Sequence, residues 1–287
     1  MNIGLAQLNP TVGDLAGNAR KIIDACRDLE KRGAAIVLTP ELVLTGYPPQ
    51  DLLFKSDFVP ASLRTLEEIH AEVGSAAWIV GCVQPNPSEH GRPFFNAAAI
   101  LEKGRPPRFV FKSLLPTYDV FNEARYFEPN SSPAPAEIGG RLFGVTICED
   151  IWTPEHLPRR LYSTNPVETL VAAGATAILN LSASPFQIGK PHIREEMIAA
   201  QAKKHRVPFF YCNAVGGNDQ LVFDGNSLAI DSAGKTLRRW PGFCESVALV
   251  EDPESTAPIS HIESLREALV LGIRDYATKC GFRSAVL

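Results

Sequence analysis

The chain has 287 residues, of which 45% are hydrophobic and 21% charged, a balance typical of a globular protein with one large domain or two ordinary ones. Its net charge of −4 argues against a nucleic acid as the main partner, and no apolar run approaches the ~18 residues that a membrane-spanning helix requires. The first residues lack the basic segment and the long apolar core of a secretory signal.

The first third of the chain alternates strand and helix patterns. Helices are predicted where apolar residues recur every three or four positions, and strands where short apolar runs are bounded by turn residues. Gly33 ends the first helix and Pro40 ends the second strand. The predicted strands here are 3–8, 34–38, 78–83 and 96–101, and the predicted helices are 18–31 and 57–73.

The rest of the chain continues this alternation. Asn165, Pro166 and Glu168 form the cap pattern of a helix that ends at Gly174, and the tetrapeptide 231–234 predicts a turn. The predicted strands are 109–111, 142–147, 176–181, 207–212, 223–230, 235–240 and 247–250, and the predicted helices are 166–173, 192–205 and 261–280.

One boundary is predicted, at residues 251–258, which gives a domain over 1–258 and a final segment over 259–287. In that segment Ser260 and Glu263 form a capping box that opens a helix, and residues 282–287 have the pattern of the start of a strand.

Six cysteines lie far apart in the chain, without a C-x-x-C pair. This spacing favours reduced thiols in a cytoplasm over a disulfide framework or a zinc site. A cysteine on an apolar strand is usually inert core packing, and we expect this of every cysteine except Cys148. The others are Cys26, Cys82, Cys212, Cys244 and Cys280.

Four polar residues follow or end strand-like apolar runs. Glu41 follows the run 36–38, Lys112 follows 109–111, and Cys148 follows 145–147. Asn180 lies near the end of a fourth run. Because strand ends share a rim where loops converge, we expect a carboxylate, an ammonium and a thiol to meet in one pocket.

These three groups suffice for amide hydrolysis without metal or cofactor. Cys148 is the expected nucleophile, and Glu41 the base that takes its proton and passes it to the departing ammonia. Lys112 is expected to favour the Cys148 thiolate and, with the backbone N–H of Glu149, to stabilise the tetrahedral oxyanion. Taken singly, each residue has an ordinary alternative role: a core thiol, a solvated lysine and a turn-opening glutamate.

Three motifs in this order resemble those of the nitrilase superfamily. They are PELVLTGYPP at 40–49, KSLLP at 112–116 and CEDIW at 148–152. The variants at 46–53, 115–127, 148–152, 180–186 and 213–219 resemble the glutamine-hydrolysing domain of glutamine-dependent NAD synthetases. The resemblance covers essentially the whole chain.

The resemblance implies an α+β fold, the four-layer α-β-β-α sandwich. It implies that Glu41, Lys112 and Cys148 form the triad, with Glu123 as a second, supporting glutamate. The implied reaction is hydrolysis of glutamine to glutamate and ammonia, which serves the amidation of deamido-NAD in the full-length enzyme. It also implies a homo-oligomer.

Substrate contacts are carried over from the same family. Tyr118 and Phe121 are expected to line the glutamine pocket, while Ser184 and Lys190 contact the amino-acid end. Where relatives carry arginine, Lys190 keeps the charge but loses the bidentate fork. Glu149 and Trp152 complete the expected substrate contacts. Ser184 is alternatively a turn residue before Pro185. Gly216 and Gly217 are expected to shape the backbone near the pocket or to form a plain tight turn.

Relatives in this family continue into a synthetase domain, where ATP and Mg are expected to bind. The chain ends where the first strand of that domain is expected, so it is interpreted as a fragment or, alternatively, as a separate subunit. Two further functions stay open: a stand-alone amidase acting on another small amide, and a catalytically silent assembly domain.

Overall fold

Two six-stranded sheets form the centre of the molecule. The computed structural model describes residues 2–154, 159, 161–284 and 286. The first sheet has the order β14-β1-β2-β3-β4-β5 and the second β13-β12-β9-β8-β7-β6, while β10 and β11 form a separate hairpin. The strands are β1 Ile3–Gln7, β2 Ile36–Leu38, β3 Ala77–Pro85, β4 Phe94–Leu101, β5 Arg108–Phe111, β6 Ala136–Ile138, β7 Arg141–Ile147, β8 Ile178–Ser182, β9 Phe209–Asn213, β10 Val215–Asn218, β11 Leu221–Asp224, β12 Leu228–Ile230, β13 Thr236–Arg239 and β14 Ser246–Leu249.

Parallel pairs occupy the middle of each sheet and antiparallel pairs its edges. In the first sheet β1, β2 and β3 are parallel, and in the second β7, β8 and β9 are parallel. Parallel neighbours need crossover helices, which cover the outer faces. The helices are α1 Leu15–Lys31, α2 Phe58–Ala71, α3 Pro166–Ala172, α4 Lys190–His205 and α5 His261–Lys279.

Three apolar layers hold this arrangement together. Between the sheets, residues such as Leu38 pack with residues such as Leu179. The helices α1 and α2 cover the outer face of the first sheet, where Trp78 is buried, and α3 and α4 cover that of the second, where Phe209 is buried. Each such buried large apolar side chain contributes ~1.5–3 kcal/mol. The expected four-layer α-β-β-α sandwich is confirmed.

Helix α5 lies outside the four layers, against the β10–β11 hairpin. The predicted Ser260–Glu263 capping box opens it. Asp275 of α5 accepts hydrogen bonds from the backbone N–H of Gly217 (2.9 Å) and from Asn9 Nδ2 (2.6 Å). Among the described residues no helix is long and apolar enough to cross a membrane.

One predicted strand is wrong. The run 223–230 is divided between β11 and β12, which belong to different sheets. Gly225 and Asn226 have φ values of 65° and 51° between them, and this left-handed backbone breaks a strand. Strands β6 and β10 were not predicted, because they are short and lack clear alternation.

Two further expectations differ from the structure. Cys244 and Cys280 are exposed, so the prediction that they lie in the core is wrong. Residues 282–284 follow α5 without strand structure, and residues 285 and 287 lie outside the described part of the chain. The domain division at 258 stays a prediction.

Candidate active site

Glu41 lies where the chain leaves β2 and crosses β3. A Cβ on Gly81 of β3 would come within 2.2 Å of the Pro40 carbonyl oxygen, so only glycine permits this close crossing. The Glu41 side chain is fully buried and hydrogen-bonded at both oxygens. Its Oε1 accepts from Asn96 Nδ2 (2.7 Å), and its Oε2 accepts from the backbone N–H of Ala183 (3.0 Å). These contacts fix the direction of the carboxylate.

Lys112 joins two carboxylates at the centre of the buried network. Its Nζ donates to Glu41 Oε1 at 2.7 Å and to Glu123 Oε1 at 2.8 Å. Tyr47 donates its hydroxyl to the same Glu123 oxygen at 2.8 Å. All four side chains are buried. The structure therefore brings together Glu41, Lys112 and Glu123, which the sequence separates by up to 82 positions.

Opposing influences act on the pKa values of this network. Burial alone lowers the pKa of Lys112, but the Glu123 and Glu41 carboxylates outweigh it and raise that pKa well above its ordinary value. Burial raises the pKa of Glu123 to about 7, although Lys112 opposes the rise. These shifts favour the charged form of Lys112 and make Glu123 easier to protonate than an exposed glutamate.

Cys148 begins the turn that follows β7. It has φ 43°, a left-handed conformation that costs a residue with a side chain ~1–2 kcal/mol. This sharp turn points the strand end toward a cleft that Cys148 helps to line. Strained backbone at a nucleophile is common where the surrounding structure fixes it in place.

Opposing influences also act on the pKa of the Cys148 thiol. Burial raises the pKa of the Cys148 thiol well above its ordinary value, Glu41 adds to the rise, and Lys112 opposes it. Lys112 acts in the direction expected from the sequence, since it favours the thiolate, but burial and the Glu41 carboxylate outweigh it. The net effect favours the protonated thiol.

A cleft of about 320 Å³ lies next to Cys148. Every residue expected to contact substrate lines it, and so do the exposed apolar side chains of Ile188 and Ile193. The expected contacts come from four segments: the loop after Lys112, the turn at Cys148, the end of β8 and the start of α4. They are Tyr118, Phe121, Glu149, Trp152, Ser184 and Lys190.

Glu149 places a buried carboxylate on one side of the cleft. Tyr118 donates its hydroxyl to Glu149 Oε1 at 2.8 Å, and Tyr162 donates to the same oxygen at 3.1 Å. Burial raises the pKa of Glu149, while Lys112 and both tyrosines oppose the rise. Tyr162 was not predicted from the sequence, because no motif surrounds it.

Lys190 places a half-buried ammonium on another side of the cleft. Its Nζ lies 5.6 Å from the centroid of the Trp152 ring, and in the described part of the chain no carboxylate lies within 4 Å of it. Burial, followed by the nearby Arg194, lowers the pKa of Lys190. Arg194 itself forms a buried two-bond pair with Asp224 at 2.8 and 2.9 Å, which anchors the first turns of α4.

Other expected site residues lie elsewhere. Asn180 is buried in β8, where it donates to Thr146 Oγ1 at 3.0 Å, and it does not line the cleft. Gly216 and Gly217 belong to β10 and lie against Asn9 and α5 rather than along the cleft, so the expectation that they shape the pocket is wrong.

Both the sequence and the fold are similar to those of known proteins. The family model described as carbon-nitrogen hydrolase matches residues 2–257. A glutamine-dependent NAD(+) synthetase from Synechocystis sp. is 42% identical over 99% of this chain and 54% of its own length, and one from Thermotoga maritima is 34% identical over 100% and 55%. The chain thus spans about half the length of these relatives.

Two solved structures have a similar fold, and this chain covers a different share of each. A glutamine-dependent NAD+ synthetase from Acinetobacter baumannii, in complex with ADP, has a TM-score of 0.84 at 30% identity, over 96% of this chain and 52% of its own. A mutant amidase from Nesterenkonia sp. AN1, in complex with butyramide, has a TM-score of 0.72 at 25% identity, over 88% of this chain and 91% of its own.

Proposed function

Because the chain belongs to the carbon-nitrogen hydrolase family, we propose that it hydrolyses the side-chain amide of glutamine to glutamate and ammonia. One observation carries the proposal. A buried Glu41–Lys112–Glu123 network adjoins a cysteine in a cleft that also holds an ammonium and a carboxylate. The network matches the needs of amide hydrolysis, and the cleft charges match a free amino acid.

The reaction proceeds in two halves. As the Cys148 sulfur attacks the amide carbon, Glu41 takes the thiol proton, and Lys112 with the backbone N–H of Glu149 stabilises the oxyanion. Glu41 then passes that proton to the leaving nitrogen, the C–N bond breaks, and ammonia departs from a γ-glutamyl thioester. Water deprotonated by Glu41 attacks the thioester, releases glutamate and restores the thiol.

The amino-acid end of the substrate is recognised by charged side chains on the walls of the cleft. The Lys190 ammonium faces the substrate α-carboxylate, and the Glu149 carboxylate faces the α-ammonium, with Ser184 as a hydroxyl partner. Tyr118 and Phe121, whose rings pack edge to face at 5.7 Å, cover the aliphatic part. Trp152 lies against Lys190 and limits the positions that its ammonium can take.

The longer relatives are named glutamine-dependent NAD(+) synthetases, and this chain spans about half of their length. We propose that this chain is the glutamine-hydrolysing half of such a protein. This chain supplies ammonia to a synthetase domain that amidates deamido-NAD, and residues 259–287 form the connection toward it. The partners are glutamine, the synthetase domain and further copies of the chain in a homo-oligomer.

Ammonia release tests the proposal directly. The chain is incubated with glutamine, and ammonia and glutamate are measured together for the wild type and for Cys148→Ala. Equal amounts of both products from the wild type, with none from Cys148→Ala, are expected. The Cys244→Ala variant is the control, because that cysteine is exposed and outside the cleft. Absence of turnover by the wild type would contradict the proposal.

A second candidate, a stand-alone amidase, is favoured by one observation. The chain covers 91% of the Nesterenkonia amidase, so this fold alone can constitute a complete enzyme. The two functions differ at the amino-acid end of the substrate. Comparing kcat/KM for glutamine and for butyramide distinguishes them, because a glutaminase uses the charged walls and favours glutamine.

A further inference from the structure

Asp150 links the two chain segments that carry Lys112 and Cys148. Its carboxylate is buried and accepts three backbone N–H groups. Oδ1 accepts from Ser113 (3.0 Å) and Leu114 (2.8 Å), which directly follow Lys112. Oδ2 accepts from Ile147 (2.9 Å), which directly precedes Cys148.

This link joins the two sheets beside the active site. The Lys112 backbone belongs to the end of the first sheet, where its N–H donates to the Asn96 carbonyl at 2.9 Å. Cys148 follows β7 of the second sheet. The separation of the lysine and the cysteine therefore depends on how the sheet ends are held together, and one oxygen of Asp150 binds each end.

The same carboxylate supports the left-handed turn at Cys148. That conformation persists only when neighbouring contacts stabilise it. Asp150 binds the N–H of Ile147, immediately before the turn, from two residues beyond Cys148. Asp150 does not line the cleft, so it has no direct path to a bound substrate.

We propose that Asp150 is a positioning residue for the reaction: it sets the placement of the Lys112 ammonium relative to the Cys148 sulfur. The inference rests on the proposed function for its effect on turnover, but its effect on thiol reactivity stands apart from the substrate. A misplacement of reacting groups by about 1 Å can cost ~10²-fold in rate.

The Asp150→Asn variant tests this, because the amide has the same shape but only one acceptor oxygen. Its NH₂ group must face either Ile147 N–H or the Ser113 and Leu114 N–H groups, so one segment is released. We expect kcat for glutamine to fall ~10- to 100-fold while KM stays within about threefold. Alkylation of Cys148 by iodoacetamide, followed on its own peptide by mass spectrometry, should slow ~10-fold, the effect of one pKa unit.

A double-mutant cycle separates positioning from general structural support. In a Lys112→Met background, Asp150→Asn should slow Cys148 alkylation by less than about threefold, because the group it positions is absent. The same slowing in both backgrounds would overturn the inference. The matched control is Asp275→Asn, which removes a buried carboxylate that also accepts a backbone N–H, far from the cleft. It should leave alkylation unchanged.

The outcomes also separate this inference from the proposed function. Non-additive alkylation together with no glutamine turnover by the wild type would sustain the role of Asp150 and refute glutaminase activity. Glutamine turnover with additive alkylation effects would support glutaminase activity and refute the positioning role of Asp150. If Asp150→Asn does not fold, Asp150→Glu carries the same cycle, because it keeps the carboxylate but displaces the bound segments.

Discussion

The floor of the cleft, formed by the triad and Glu123, is built differently from its walls, which are formed by the substrate contacts. At the floor, Glu41 and Lys112 are buried and hydrogen-bonded. Asp150 accepts hydrogen bonds from the chain segments that carry Lys112 and Cys148. On the walls, Phe121 and Lys190 are half-buried, and among the described residues the Lys190 ammonium contacts the Trp152 ring but no carboxylate within 4 Å.

This difference separates chemistry from recognition. A preorganised floor stabilises charge without rearrangement during the reaction. On the more open wall, the Lys190 ammonium has no carboxylate partner among the described residues, so that partner is left to the substrate. Changes at the floor should therefore affect kcat, and changes on the walls should affect the discrimination between substrates.

The largest expected effect comes from the floor. Glu41→Gln and Lys112→Met should each lower kcat by ~10³-fold or more, because members of such a network act as a unit, while KM changes little. Steady-state ammonia release measures both constants. Lys279→Met is the matched control, since the Lys279 ammonium on α5 donates three hydrogen bonds to other segments, away from the cleft. Wild-type turnover in Lys112→Met would assign Lys112 a merely structural role.

The next effect comes from the walls. Lys190→Met should lower kcat/KM for glutamine ~10- to 100-fold, the cost of losing a charge-assisted contact, and should leave butyramide hydrolysis unchanged. Lys190→Arg should retain most of the glutamine activity, because it keeps the charge. Equal losses for both amides would show that Lys190 supports the fold of the cleft rather than the carboxylate.

Floor and walls also differ in how far the sequence predicts them. Glu41, Lys112 and Cys148 were predictable because each follows an apolar strand and lies within a distinctive motif. The Asn96 amide and the Ala183 N–H that hold Glu41 were not, because they approach it from 55 and 142 residues away. Tyr162 was not predicted because no motif surrounds it, although it lies only 13 residues from Glu149. The direction of the Lys112 effect on the Cys148 pKa could be predicted, but the net rise could not, because burial, which outweighs Lys112, depends on the complete fold.

A smaller effect concerns thiol reactivity. With the neutral reagent iodoacetamide and no substrate, Cys280 should react ~10-fold or more faster than Cys148, because Cys280 is exposed and burial raises the pKa of the Cys148 thiol. Peptide mass spectrometry over time gives both rates. Faster labelling of Cys148 would indicate a resting thiolate and a floor more polar than the structure shows.

The smallest effect concerns stability. Burial raises the pKa of Glu123 to about 7 in the folded chain, so the folded state binds this proton more tightly than the unfolded state. Ionisation then costs stability as pH rises from ~4.5 to ~7. Glu123→Gln cannot ionise, so it avoids this loss. The free energy of unfolding of the variant, relative to that of the wild type, should therefore be ~1–3 kcal/mol higher at pH ~7 than at pH ~4.5. Urea unfolding at both pH values measures this gain. A constant difference would contradict the raised pKa.

The central claim is that Cys148, held by the floor, attacks an amide whose amino-acid end is bound by the walls. The most direct measurement is labelling with a glutamine-like diazoketone, read by peptide mass spectrometry alongside ammonia release. The account predicts one adduct per chain, on Cys148, with parallel loss of activity and protection by glutamine. An adduct mainly on another cysteine, or activity that survives full labelling of Cys148, would contradict it.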